Sequence, residues 1–162
     1  MAAVFGAVGI SVPLASGLTV WFDPLRRKAK ASGFVWVASL NALPENGSPR
    51  KFPVITDQVD AWNKIPQVPV GAVYLRRTGD KAAHAFNVVC PHAGCFVDYD
   101  PARQDYRCPC HNSSFRLDGQ ISDPRSPSPR GLDPLEVEIR NGGEIWVKFQ
   151  NFRAGQAERI PV

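Results

Sequence analysis

No charged side chain occurs between Met1 and Phe22, and after Gly33 no apolar run repeats with the period of an amphipathic helix. The first absence excludes an ordinary solvent-facing start. The second excludes a helical bundle for the remainder. There is no internal repeat and no low-complexity tract, so the chain is neither a solenoid nor a long disordered linker. Charge of one sign is also scarce. The net charge is +4 from 19 basic and 15 acidic residues, spread along the chain except for Arg26, Arg27, Lys28 and Lys30. No RNA- or DNA-binding signature accompanies these charges, which read as a solvated surface, and no nucleic-acid partner is expected. Histidine is limited to three residues and cysteine to four, all four cysteines lying between positions 90 and 110.

The uncharged run MAAVFGAVGISVPLASGLTVWF would make a helix about 33 Å long, enough for a hydrocarbon core of about 30 Å. Gly6, Gly9 and Gly17 allow close approach of a neighbouring helix, Pro13 would kink it, and Trp21 and Phe22 stand where an interfacial aromatic belongs. A cleaved signal peptide would carry a basic start and a shorter apolar core. A buried helix of a soluble core would show a polar face. The expectation is a transmembrane anchor over 1–22. The polar, basic stretch 23–33 reads as a linker or hinge, with the remaining domain over 34–162.

Fifteen prolines and 13 glycines favour many turns and short strands. β-branched or alternating runs at 34–38, 51–55, 72–77, 83–89, 135–140 and 144–149 read as strands, with Pro53 assigning the second to a sheet edge. Asn141-Gly142-Gly143 between the last two is a hairpin signal. Residues 56–69 hold at most one irregular turn around Trp62. The tryptophans read as core or interface residues rather than electron relays. The fold class is all-β, with antiparallel pairing.

Two loops carry the chemistry. The first is Cys90-Pro91-His92-Ala93-Gly94-Cys95 and the second Cys108-Pro109-Cys110-His111-Asn112-Ser113-Ser114-Phe115. The pattern is C-x-H-x15-C-x-x-H. Each loop offers one soft sulfur and one imidazole, and two of each suit zinc or an iron–sulfur centre with unequal irons. One cysteine beside each loop, Cys95 and Cys110, is left over. His84 lies in a strand-like run and reads as an ordinary strand residue.

CPHAGC and CPCHNSSF resemble the two cluster-binding loops of Rieske proteins, in the disulfide-containing branch found in quinol–cytochrome c reductases of the cytochrome bc and b6f type. The resemblance extends to the anchor, the basic hinge and the β domain, and Ser126-Pro127-Ser128-Pro129 resembles the proline-rich loop that covers the cluster in that family. It implies one [2Fe–2S] cluster held by Cys90 and Cys108 on one iron and by His92 and His111 on the other. It implies a Cys95–Cys110 disulfide, and a quinol contact at His111 and His92 through a ring nitrogen left free for proton-coupled transfer, His111 being favoured. The implied partners are a cytochrome b-type membrane subunit, quinol and a cytochrome c-type acceptor.

The basic cluster after the apolar run would by itself keep the domain in the cytoplasm. A disulfide is hard to keep there, so the domain is expected on the periplasmic or extracytoplasmic side. Ser113 matches a serine that tunes high-potential members, whereas Phe115 replaces their tyrosine, so a lower potential suited to a quinol such as menaquinol is expected. Ala93 replaces a common leucine and Asn112 a common glycine, Asn being tolerant of left-handed backbone angles. The alternatives are the small subunit of arsenite oxidase, a Rieske ferredoxin and a zinc-stabilised interaction domain.

Overall fold

The computed structural model describes residues 12–22, 33–59 and 63–162. Residues 1–11 of the expected anchor, 23–32 of the expected linker with its basic cluster, and Trp62 lie outside the described residues. The chain divides into two compact units, Met1–Ala31 with Asp57–Gln67, and Ser32–Thr56 with Val68–Val162.

In the first unit, residues 12–22 are helical and every one of them is exposed. The Ser16 and Thr19 hydroxyls donate back to the Val12 and Ser16 carbonyls at 2.8 and 2.7 Å. Such back-bonding leaves few polar groups to be solvated. No helix among the described residues is long and apolar enough to cross a membrane. Also in this unit, Asp57 accepts the Gln67 N–H at 3.2 Å and pairs with Lys64 at 2.8 Å.

The strands are β1 (Phe34–Ser39), β2 (Arg50–Val59), β3 (Lys64–Gly79), β4 (Ala82–Asn87), β5 (Asp98–Asp100), β6 (Asp105–Arg107), β7 (Ser114–Arg116), β8 (Pro134–Arg140) and β9 (Glu144–Lys148). One sheet has the order β1-β9-β8-β4-β3-β2 and a second the order β5-β6-β7. The all-β class follows the short β-branched runs. Pro53, unable to donate a ladder hydrogen bond, sits in β2 at the sheet edge. Asn141 and Gly142 take φ of +47° and +76° and turn β8 into β9, with Arg140 opposite Glu144. Residues 56–69 differ from expectation. β2 runs on to Val59 and β3 starts at Lys64, because backbone pairing extends strands whose side chains are mostly exposed and therefore show no apolar alternation.

Strand alternation creates two cores from the same strands. Val73 and Leu75 of β3 and Ala85 of β4 pack with Val37, Val54, Ile145 and Val147. The intervening Tyr74 and Phe86 face the opposite way and pack with Val88, Cys90, Val97, Tyr106, Cys108, Phe115 and Leu132. The second core therefore contains two of the four cysteines. In it Tyr99, Tyr106 and Phe115 stand directly opposite one another across β5, β6 and β7. Trp36 and Trp146 are not core residues. They pair across β1 and β9 at the surface, where Arg140 stacks 4.5 Å from the Trp146 ring.

Gly131 ties the base of the second core together, since a Cβ there would lie 2.5 Å from the Gly119 carbonyl oxygen. Backbone rather than a flexible side chain would have to move. Gly131→Ala is expected to cost about 1–3 kcal/mol. The check is thermal unfolding, with Tm falling by about 2–4 °C per kcal/mol lost.

Candidate metal centre

Each loop closes on itself by the same device. The Cys90 N–H donates to the Cys95 carbonyl at 2.7 Å, and the Cys108 N–H to the Ser113 carbonyl at 2.8 Å. Within the first loop Gly94 donates to Cys90 O at 3.0 Å and takes φ of +84°. In the second, Asn112 takes φ of +60°, the left-handed angle its side chain tolerates. The loops leave the second core side by side and are joined by the Cys95–Cys110 disulfide, with Cα atoms 6.6 Å apart.

Burial is graded across the pair. Cys90 and Cys108 are free thiols at the base, with 0% and 2% of their surface exposed. His92 is half-buried and His111 is exposed at the tip. The two imidazole rings meet edge to face, with centroids 4.9 Å apart and planes at 88°. Three sulfurs, of Cys95, Cys108 and Cys110, lie within 4.8 Å of one another. Two of them are consumed by the disulfide and carry no thiolate charge, so Cys108 alone of these three can be a metal ligand.

The side chains present fit a metal group of mixed sulfur and nitrogen ligation. His92 Nδ1 is buried and has no hydrogen-bond partner. A buried polar atom left unpaired is costly, and a metal bond would satisfy it. Burial pushes the Cys90 thiol up, opposed by the His92 backbone N–H and by the Ser113 hydroxyl, both of which favour its thiolate; nearby Cys108 adds to the upward push. The fully buried Ser113 hydroxyl has no nitrogen or oxygen partner, so that sulfur is its polar neighbour. These are the donors that a metal-bound thiolate would use.

The remaining sequence-selected positions are also located. Phe115 is fully buried in the second core, opposite Tyr106, whose own hydroxyl is buried without a partner and whose ionisation burial pushes up. His84 is exposed on β4 beside a cleft of about 700 Å3 that is lined also by Phe86, Gln120, Leu132, Leu135 and Arg159, and by no residue of the two loops. The 126–129 segment holds the buried Ser128, which donates to the Arg130 carbonyl at 2.8 Å. Sequence reasoning missed Arg130, Asp133 and Asn87. Arg130 and Asp133 pair three residues apart like any surface pair, and the contacts that give Asn87 and Arg130 their role lie 63 and up to 26 residues away.

The Rieske [2Fe-2S] domain family matches residues 33–139. The menaquinol:cytochrome c reductase iron-sulfur subunit of Geobacillus thermodenitrificans is 30% identical over 141 residues, covering 85% of this chain and 79% of that one. The chloroplastic cytochrome b6-f complex iron-sulfur subunit of Bigelowiella natans is 36% identical over 77 residues, covering 46% of this chain but only 29% of that one. Among solved structures, the quaternary ammonium Rieske monooxygenase CntA aligns with a TM-score of 0.51 and 22% identity, over 79% of this chain and 34% of that chain. At that identity it speaks for the fold alone. The family match over the β domain, joined by the relative from Geobacillus along most of its length, settles the kinship: this chain belongs to the Rieske [2Fe–2S] family, and its cofactor is one [2Fe–2S] cluster.

Proposed function

We propose that this chain is the Rieske subunit of a quinol–cytochrome c reductase of the bc type. The observation that carries the reading is the graded tip: two buried thiols below, two imidazoles side by side above, and a disulfide tying their loops. Similarity to a menaquinol:cytochrome c reductase subunit over 85% of the chain supports it. The disulfide weighs against a Rieske ferredoxin, which generally lacks it.

In this reading Cys90 and Cys108, as thiolates, and His92 and His111, through one ring nitrogen each, would hold the cluster. When bound, the cluster supplies one-electron chemistry. The chain's own groups do the rest. His111, exposed at the tip, presents its second ring nitrogen to a quinol hydroxyl and takes the hydrogen bond along which the proton leaves. His92, half-buried, orients the neighbouring face. Exposed Phe96, flanking the first loop, offers apolar surface to the ring of a quinol or to the cytochrome b-type subunit that completes the pocket. Ser113 favours the more negative state of the sulfurs. A cytochrome c-type partner would be the electron acceptor.

Residues 1–22 serve as the membrane anchor and 23–33 as the hinge. The helix over 12–22, with Leu14, Leu18, Val20 and Trp21 all exposed, is a surface that lipid would cover. A disulfide is hard to keep in a reducing compartment, and this supports an extracytoplasmic side for the domain.

The test is an EPR spectrum of the dithionite-reduced protein with a potentiometric titration of the same sample. A rhombic signal of low average g with nitrogen couplings is expected. A silent sample holding one zinc per chain would sink the redox reading. The midpoint is expected within the roughly −150 to +300 mV Rieske span and below that of tyrosine-bearing relatives. Phe115→Tyr should raise it, because a hydroxyl at this position would add a donor to the cluster sulfurs. An unchanged midpoint would remove Phe115 as the cause of the low value.

A further inference from the structure

The chain beyond residue 139 lies outside the family match, yet its last residues return to the first cluster loop. After β9 the segment 150–162 folds back on itself. Arg153 N–H donates to Ile160 O at 2.9 Å, Val162 N–H to Asn151 O at 3.1 Å, and Phe152 bridges to Pro161. At its bend Gly155, with φ of +74°, donates its N–H to the Pro91 carbonyl at 2.8 Å. A Cβ at Gly155 would lie 3.7 Å from the next carbonyl, that of His92. The bend thus rests on the backbone between Cys90 and His92.

Two side chains anchor this segment to the domain. Asn87, at the end of β4, donates to Gln150 O and to Asn151 Oδ1, both at 2.9 Å, while its own Oδ1 accepts from Val89 N–H. Arg130, which follows the 126–129 segment, donates to Gln156 O and, at 3.1 Å, to Arg153 O. It also grips both oxygens of Asp133 at 2.8 Å. Arg130 and Asp133 side chains are 7% and 4% exposed, and Arg159 of the segment reaches Asp133 at 3.4 Å. A buried ion pair whose arginine also donates to two carbonyls of one segment fixes that segment in place.

What the bend holds is a peptide plane. In a trans peptide the C=O and N–H point in opposite directions. When Gly155 holds the Pro91 oxygen on one side, the N–H of His92, in the same plane, is turned the other way, towards the Cys90 sulfur. We propose that the segment 150–162 is a brace that sets the Pro91–His92 peptide for N–H···S donation to Cys90, with Arg130 as the positioning residue that locks the brace. An N–H donor to a ligand sulfur stabilises the reduced cluster and raises its potential. The brace therefore tunes the potential from residues that touch no ligand side chain. This rests on the assignment of Cys90 as a cluster ligand.

The experiment uses the full chain loaded with cluster and compares Arg130→Gln/Asp133→Asn, Gly155→Pro and the surface control Lys148→Gln by EPR-monitored redox titration. The double change keeps a neutral pair and releases the segment. Gly155→Pro deletes the donor and, because proline cannot take a φ of +74°, opens the bend as well. Both are expected to shift the one-electron equilibrium towards the oxidised cluster by up to about tenfold, a midpoint fall of up to about 59 mV, at unchanged nitrogen couplings. Lys148→Gln should titrate like the parent. If both variants carry a full cluster at the parent midpoint, the proposal fails. If both lose the cluster while the control keeps it, the tuning role also fails and the segment is only structural. If one of them fails to load, the midpoint of the other decides. A parent protein without the Rieske signal would overturn the functional reading instead.

Discussion

Cys108→Ser is expected to purify with iron and sulfide at background, without the visible absorption of a [2Fe–2S] cluster and without an EPR signal on reduction. Cys108 sits at the base of the second loop, 2% exposed. A serine oxygen is a harder donor than thiolate and far more reluctant to lose its proton, so it does not replace sulfur in a buried soft site. Cys90→Ser, in the matching position of the first loop, should behave alike. Circular dichroism separates loss of ligation from loss of fold, since a hydroxyl left unpaired there costs only about 1–3 kcal/mol. A full iron load in Cys108→Ser would refute its assignment as a ligand.

The second large effect is expected from Cys95→Ala/Cys110→Ala. The disulfide closes a separation of 15 residues. Chain-entropy reasoning assigns a loop of that length about 3 kcal/mol. At about 2–4 °C per kcal/mol, Tm should fall by roughly 6–12 °C. The disulfide is the covalent tie between the two loops, so the cluster's lifetime in air should shorten as well. Titrating reductant against cluster absorbance checks this in the parent protein, and the double variant should no longer respond to reductant. A variant with parental Tm and cluster lifetime would show that the small sheet alone holds the loops together.

The two loops are legible in the sequence because their signal is local: a cysteine and a histidine stand two or three residues apart in each, and the structure brings both pairs to one end of the second core. The Asn141-Gly142-Gly143 hairpin and the edge position of Pro53 were readable for the same reason, each being a property of one backbone position. The stretch between the loops, with Tyr99, Pro101 and Tyr106, reads as strand-like, but its division into β5 and β6, and the strand β7 after it, are not legible. Each has three residues, too few to show a period, and they exist because Tyr99, Tyr106 and Phe115 align across them. The extent of β2 and β3 was missed because exposed strands need no apolar pattern. The brace was invisible because its contacts run through backbone carbonyls, which every residue has, and because Arg130 in a polar stretch reads like any surface arginine.

Consecutive residues of β3 and β4 belong to different cores, Val73 and Leu75 to one, Tyr74 to the other. Neither layer can melt while its neighbour stays ordered, since each is built on the other's backbone. If Cys90 and Cys108 are the ligands, the free energy of metal capture there would be shared with a sheet that has no ligand in it. The domain should behave as one cooperative body whose farthest edge senses whether the tip is loaded.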